Sequence, residues 1–336
     1  MNELESRRSF TAQRLNDLRG RLVEAEARVG DKARVYATGS FGRGEASTHS
    51  DLDLFIVGKD DEVGSNAERN PRSALRRLDE ICVKANLIQA TRDLGFPEFS
   101  GDGEYLGHYA LSDLIKTLGK RQDDVTNTFT ARLLLLFESG PLVGEAVYGE
   151  VVEEVVYVYW RDYQDHRDDF IPAFLTNDIL RLWRTFCVNY EAGTDREPPQ
   201  RKAKGKLKNF KLKHSRMLTC YSAILFLLSK YMLHTTVTPD DALEMTKLTP
   251  TMRLEQLLSE QKCHEAFGAI RRLLERYNKF LEITNASEEN QLKLFATSES
   301  SRGHIAEAYE FGDSVAEALN AIGSGAASRF YRLLVV

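Results

Sequence analysis

The chain has 336 residues, 42% hydrophobic and 28% charged, with a formal net charge of -5. That length accommodates two domains and a substantial core, and the composition is that of an ordinary globular protein. The acidic balance excludes a global affinity for nucleic acid, so anions must be met by local patches, and no apolar run approaches the roughly twenty residues that span a bilayer.

Residues 2–28 place Leu4, Leu15, Leu18, Leu22 and Val23 among charges, which predicts a helix of mostly polar surface. The first eight residues lack the apolar stretch of a secretory signal, and Cys82, Cys187, Cys220 and Cys263 show neither metal-site nor disulfide spacing. A reducing, cytoplasmic setting is therefore expected. Ala33–Thr38 reads as a short strand leading into Gly39-Ser40-Phe41-Gly42-Arg43-Gly44. Glycines there admit positive φ and let backbone N–H groups approach an anion. Ser40 adds a hydroxyl, and Arg43 is expected to supply a charge-assisted contact. Asp51 and Asp53 follow on an apolar strand, Leu52-Asp53-Leu54-Phe55-Ile56-Val57. Residues two apart in a strand face the same way. Two carboxylates so placed repel unless a cation lies between them, which points to divalent metal and phosphoryl chemistry.

Two other glycine-loop readings do not fit. No Gly-Lys-Ser/Thr closes the turn, and the glycine spacing and early acids differ from the dinucleotide fingerprint. Gly39-Ser40, a further glycine and Ser50-Asp51-Leu52-Asp53 before apolar residues instead resemble the signature of the DNA polymerase β-like nucleotidyltransferase superfamily, over about residues 33–57. The resemblance implies that Gly39 and Ser40 contact nucleotide phosphates and that Asp51 and Asp53 hold Mg²⁺, two ions in such sites. It also implies a third carboxylate on a neighbouring strand. Glu104 is the favoured candidate, with Asp102 and Glu98 just before it and a solvated glutamate as the rival reading.

Further along, 58–66 reads as an exposed loop, Pro71 to about Asp93 as a helix, and 103–109 as a strand. From about Asp123 the pattern is helical nearly to the end. The expected fold is α+β: a small mixed-sheet catalytic domain over 1–145, then a larger all-helical domain over 146–336. Thr130–Leu142 faintly resembles bacterial signalling nucleotidyltransferases related to the uridylyltransferase of nitrogen regulatory protein. By its residues alone it is a buried helix ending at Gly140-Pro141. His166 among Asp162, Asp165, Asp168 and Asp169 has metal-capable spacing, although a charged exposed face explains it as well.

Arg201–Arg216 is the one strongly basic patch. By resemblance Lys211, Lys213 and Ser215 are candidates for triphosphate contact, with Lys208 and Arg216 behind them. Binding of an RNA backbone and a plain solvated surface are the competing readings. The expected activity is Mg²⁺-dependent transfer of NMP from an NTP such as ATP to an acceptor hydroxyl, with release of pyrophosphate. The acceptor stays open between a second nucleotide, tRNA, a protein and a small molecule. The alternative is a nucleotide-binding regulatory or interaction protein in which catalysis has lapsed.

Overall fold

Strand β1 (Ala33–Thr38) carries the fold of the first half, because it is paired on both sides. The structure, a computed structural model, describes residues 2–61, 73–99, 106–192 and 199–335. Chain contacts divide it into one unit holding Glu3–Val158 and another holding Tyr159–Val336.

The first unit opens with α1 (Glu3–Arg21) and α2 (Val23–Val29), two helices where one was expected, with buried Leu22 at the bend. After β1 come α3 (Gly39–Gly42), β2 (Asp53–Gly58), α4 (Arg77–Asp93), β3 (Gly107–Ala110), α5 (Leu111–Lys116), α6 (Gln122–Val125), α7 (Thr128–Phe137), β4 (Gly140–Val143) and α8 (Glu145–Tyr159). The sheet order is β3-β2-β1-β4, with β1 antiparallel to both neighbours and β2 parallel to β3. Pairing runs from Ala33 opposite Gly58 to Thr38 opposite Asp53.

Alternation along the strands sorts the two faces. Val35, Ala37, Leu54 and Ile56 join Leu18, Ala25, Val83 and Leu87 in one apolar core beneath α1, α2 and α4. On the other face Tyr36 stacks on Phe55 at 5.6 Å, tilts against Tyr148 of α8 and donates its hydroxyl to the Ala131 carbonyl of α7. Arg34 lies wholly buried on that face and donates to the Val147 carbonyl, and burial lowers its pKa to about 10. These contacts bind α8 to the sheet, which is why the first unit runs on to Val158 instead of stopping near residue 145.

One further expectation needs correction. The helical pattern after Asp123 is interrupted by β4, where Pro141 sits opposite Tyr36 on an edge strand that tolerates a missing donor. The strand expected over 103–109 is described from Gly107 onward, and 103–105 lie outside the described residues, as does Pro71. His108 fastens β3 through the Ser73 hydroxyl at 2.8 Å and the Glu80 carboxylate of α4 at 3.0 Å.

The second unit contains helices and no strand among its described residues: α9 (Ala173–Ala192), α10 (Pro199–Lys211), α11 (Met217–His234), α12 (Pro239–Thr246), α13 (Pro250–Leu257), α14 (Phe267–Thr284), α15 (Glu288–Phe295), α16 (Ser298–Gly323) and α17 (Ser328–Arg332). Thr238 and Thr249 cap α12 and α13, each followed by proline at the first turn. A π-helical turn, Leu212–Arg216, joins α10 to α11. Lys202–His234 thus forms one 33-residue helix whose apolar stretch is 67% buried within the protein.

Candidate active site

Asp53 opens β2 opposite the last residue of β1, so it stands where the chain turns into Gly39. Gly39 has φ +64, and a Cβ there would lie 3.0 Å from Asp53 Oδ2. Only glycine relieves both the left-handed backbone and the crowding. Leu52 and Leu54 are buried at 2% exposure, whereas Asp51 is exposed and Asp53 half-buried. Both acids are therefore turned away from the core that takes their neighbours. Ser40, half-buried beside Gly39, makes no side-chain hydrogen bond among the described residues, and Asp51 makes no ion pair among them.

The loop between turn and strand is held from below by α1. Arg7 donates to the Glu45 carbonyl at 3.0 Å, and Thr11 Oγ1 accepts from the Ala46 amide at 2.8 Å. Ser50 Oγ then accepts from the Ser47 amide at 2.9 Å, closing the short turn that delivers Asp51. Gly42 packs so tightly on the Glu138 and Ala37 carbonyls that a Cβ would collide with both.

Arg43 does not project toward a ligand as expected. Its guanidinium is buried between Glu45 at 2.5 Å and Glu138 at 2.9 Å, so it locks the turn to the end of α7. Two carboxylates consume its fork geometry, and removing such a buried partner is costly. A second buried pair is not legible in the sequence: Asp123 takes Arg132 through two bonds, at 2.9 and 2.6 Å. A lone acid in sequence carries no mark of a partner nine residues on.

The basic segment disperses over its own unit. Lys204 pairs with Glu288 at 3.0 Å, and Lys206 donates to Ser301 at 3.0 Å. Lys213 Nζ lies over the Tyr309 ring at 3.7 Å, a cation–π contact. Ser215 is buried and gives its hydroxyl to the Lys211 carbonyl at 2.8 Å, so it faces its own helix. Lys211 is half-buried. Sequence reasoning passed over His214, which is 1% exposed, stacked on Phe280 and packed on Phe210 and Phe311. Burial lowers its pKa to about 4, against the hydrogen bond it gives the Phe210 carbonyl and aided by the charge of Arg276.

Glu104 and Asp102 lie outside the described residues, and Glu98 is an exposed partner of Arg92 at 3.4 Å. Among the described residues no group of three or more His, Cys, Asp or Glu forms a metal cage, the His166 cluster included. Asp53 beside Gly39, with the exposed Asp51 two residues before it, would nevertheless suit Mg²⁺, which binds through one or two carboxylates plus phosphate oxygens and water.

Comparison with curated proteins yields no match. Residues 17–104 match the family model described as Nucleotidyltransferase domain, a span that contains the Gly39-Ser40 turn and both aspartates. That stretch of the chain is accordingly similar to a nucleotidyltransferase domain, consistent with the polymerase β-like superfamily.

Proposed function

We propose that the chain transfers NMP from an NTP to an acceptor hydroxyl and releases pyrophosphate. The observation that carries this reading is the Asp53 carboxylate lying 3.0 Å from where a Gly39 side chain would begin. The acidic group and the backbone of the glycine turn thus lie in direct contact. Asp51 and Asp53 would hold Mg²⁺, which supplies Lewis-acid polarisation of the phosphoryl group when bound.

The chain's own residues divide the remaining work. Gly39 leaves the backbone open for an anion to approach, and the Ser40 hydroxyl donates to a phosphate oxygen. The Arg43–Glu138 link and the α1 contacts hold the turn and the acids in register, so little reorganisation accompanies substrate binding. The acceptor hydroxyl gives up its proton to a carboxylate of the site as it attacks the α-phosphorus, and the departing group is pyrophosphate.

The test is label transfer from each α-³²P NTP with Mg²⁺, first with protein alone and then with a cell extract. A nucleotide product without extract assigns a nucleotide acceptor, and label on a macromolecule assigns RNA or protein. The reading fails if no label moves, or if Asp51→Ala and Asp53→Ala transfer as well as the parent. NTP binding without any transfer would return the chain to the regulatory alternative.

A further inference from the structure

A second feature, wholly within the helical unit, is built for a negatively charged ligand. Helix α9 presents Asn177, Arg181, Arg184 and Thr185 along successive turns to a cavity of about 540 Å³. Their spacing of three and four residues places them on one helix face. Leu333 and Leu334 of the C-terminal segment form the facing wall, and Leu180 and Val188 add apolar surface. No carboxylate is among the described residues that line it.

Arg184 is exposed and pairs with no carboxylate among the described residues. Arg181 pairs with Asp178 at 3.9 Å, and the other oxygen of that carboxylate accepts the Tyr159 hydroxyl at 2.8 Å. More cations flank the same helix. The Arg216 guanidinium lies 5.2 Å from the centre of the Phe186 ring, and Lys213 acts electrostatically on Cys187. Glu191 opposes Lys213 at Cys187, so both signs of charge meet on that side of α9.

Two guanidinium forks one turn apart match phosphate oxygens bidentately, and amide and hydroxyl groups beside them fix orientation. The volume lies within the roughly 300–1,000 Å³ of small-molecule sites. We infer that this cavity binds an organic phosphate of nucleotide size, its phosphates on Arg181 and Arg184 and its ring against Leu333 and Leu334. The inference stands apart from NMP transfer and holds whether or not the aspartates catalyse.

Calorimetric titration of the full chain with ADP, in EDTA and at low salt, tests it. The parent is expected to bind ADP, with affinity falling as salt is raised. Arg184→Gln and Arg181→Gln should each weaken binding roughly tenfold or more, as loss of a charge-assisted bond does. Asp53→Asn should leave this binding in place, and adenosine should bind far more weakly than ADP. Arg184 is exposed, so Arg184→Gln serves alone if Arg181→Gln disturbs folding. The inference is overturned if the parent takes up no ADP at millimolar concentration, if adenosine matches ADP, or if folded arginine variants bind like the parent. Loss of binding in Asp53→Asn alone would assign the ADP to the aspartate site and overturn it equally.

Discussion

Replacing Gly39 by alanine isolates the geometry on which the proposed chemistry depends. Two costs arise. The backbone sits at φ +64, where an L side chain costs about 1–2 kcal/mol. The new methyl group would also meet Asp53 Oδ2 at 3.0 Å, so the carboxylate must yield by a few tenths of an ångström to reach ordinary contact. Gly95 provides the control, since it has φ +67 with nothing within 4 Å of its would-be Cβ. Gly95→Ala therefore carries the backbone strain alone, at the end of α4. Chemical denaturation should show a loss of about 1–2 kcal/mol for Gly95→Ala and at least as much for Gly39→Ala, which adds the contact with Asp53. Label transfer should separate them: Gly95→Ala stays near the parent, while Gly39→Ala falls roughly ten- to a hundredfold, as expected for a displaced reacting group. Equal transfer by Gly39→Ala and the parent would refute the idea that this crowding positions Asp53.

Two other outcomes test the supporting structure. Arg43→Gln strands Glu45 and Glu138 in the interior, and should cost about 3–5 kcal/mol by urea denaturation; a loss below about 1 kcal/mol would show the network to be incidental. His214 titrates at about 4 when folded against 6.5 when free, so in that window the unfolded chain binds a proton that the folded chain does not. Its contribution is complete above the free value, declines as pH falls through the window and levels off below the folded value. Acidification from pH 7 to 5 should therefore remove about 2 kcal/mol from the helical unit, and His214→Phe should remove that part of the pH dependence. Identical acid sensitivity of both proteins would count against it.

The parts of the molecule that could be read in advance are those written locally. Glycine spacing and alternate acids over Gly39–Asp53 fix a turn and a strand within fifteen residues, and the β1–β2 pairing follows from adjacency. Arg43 misled because its environment is set by Glu138, far away in sequence, and a surface-loop arginine and a buried one look alike. β4 escaped notice because four residues, Gly140–Val143, are too few to show alternation beside a strongly helical run. The lysines of 201–216 read as one patch in sequence, but helical geometry spreads them around α10 toward Glu288, Ser301 and Tyr309. Similarly, the α9 cavity depends on the last residues of the chain meeting residues some 150 positions earlier. No window along the sequence contains both walls.

The link from Arg43 to Glu138 means that the stretch matching the family model and the physical folding piece do not coincide. The matched stretch stops at residue 104, before either Glu138 or the edge strand that covers β1 has been made. A protein cut to that stretch would leave Arg43 with one of its two acids and β1 with an open hydrogen-bonding margin, an invitation to self-association. During synthesis the Gly39–Gly44 turn would likewise lack its tie to Glu138 until α7 emerges from the ribosome, and β1 its second neighbour until β4 follows.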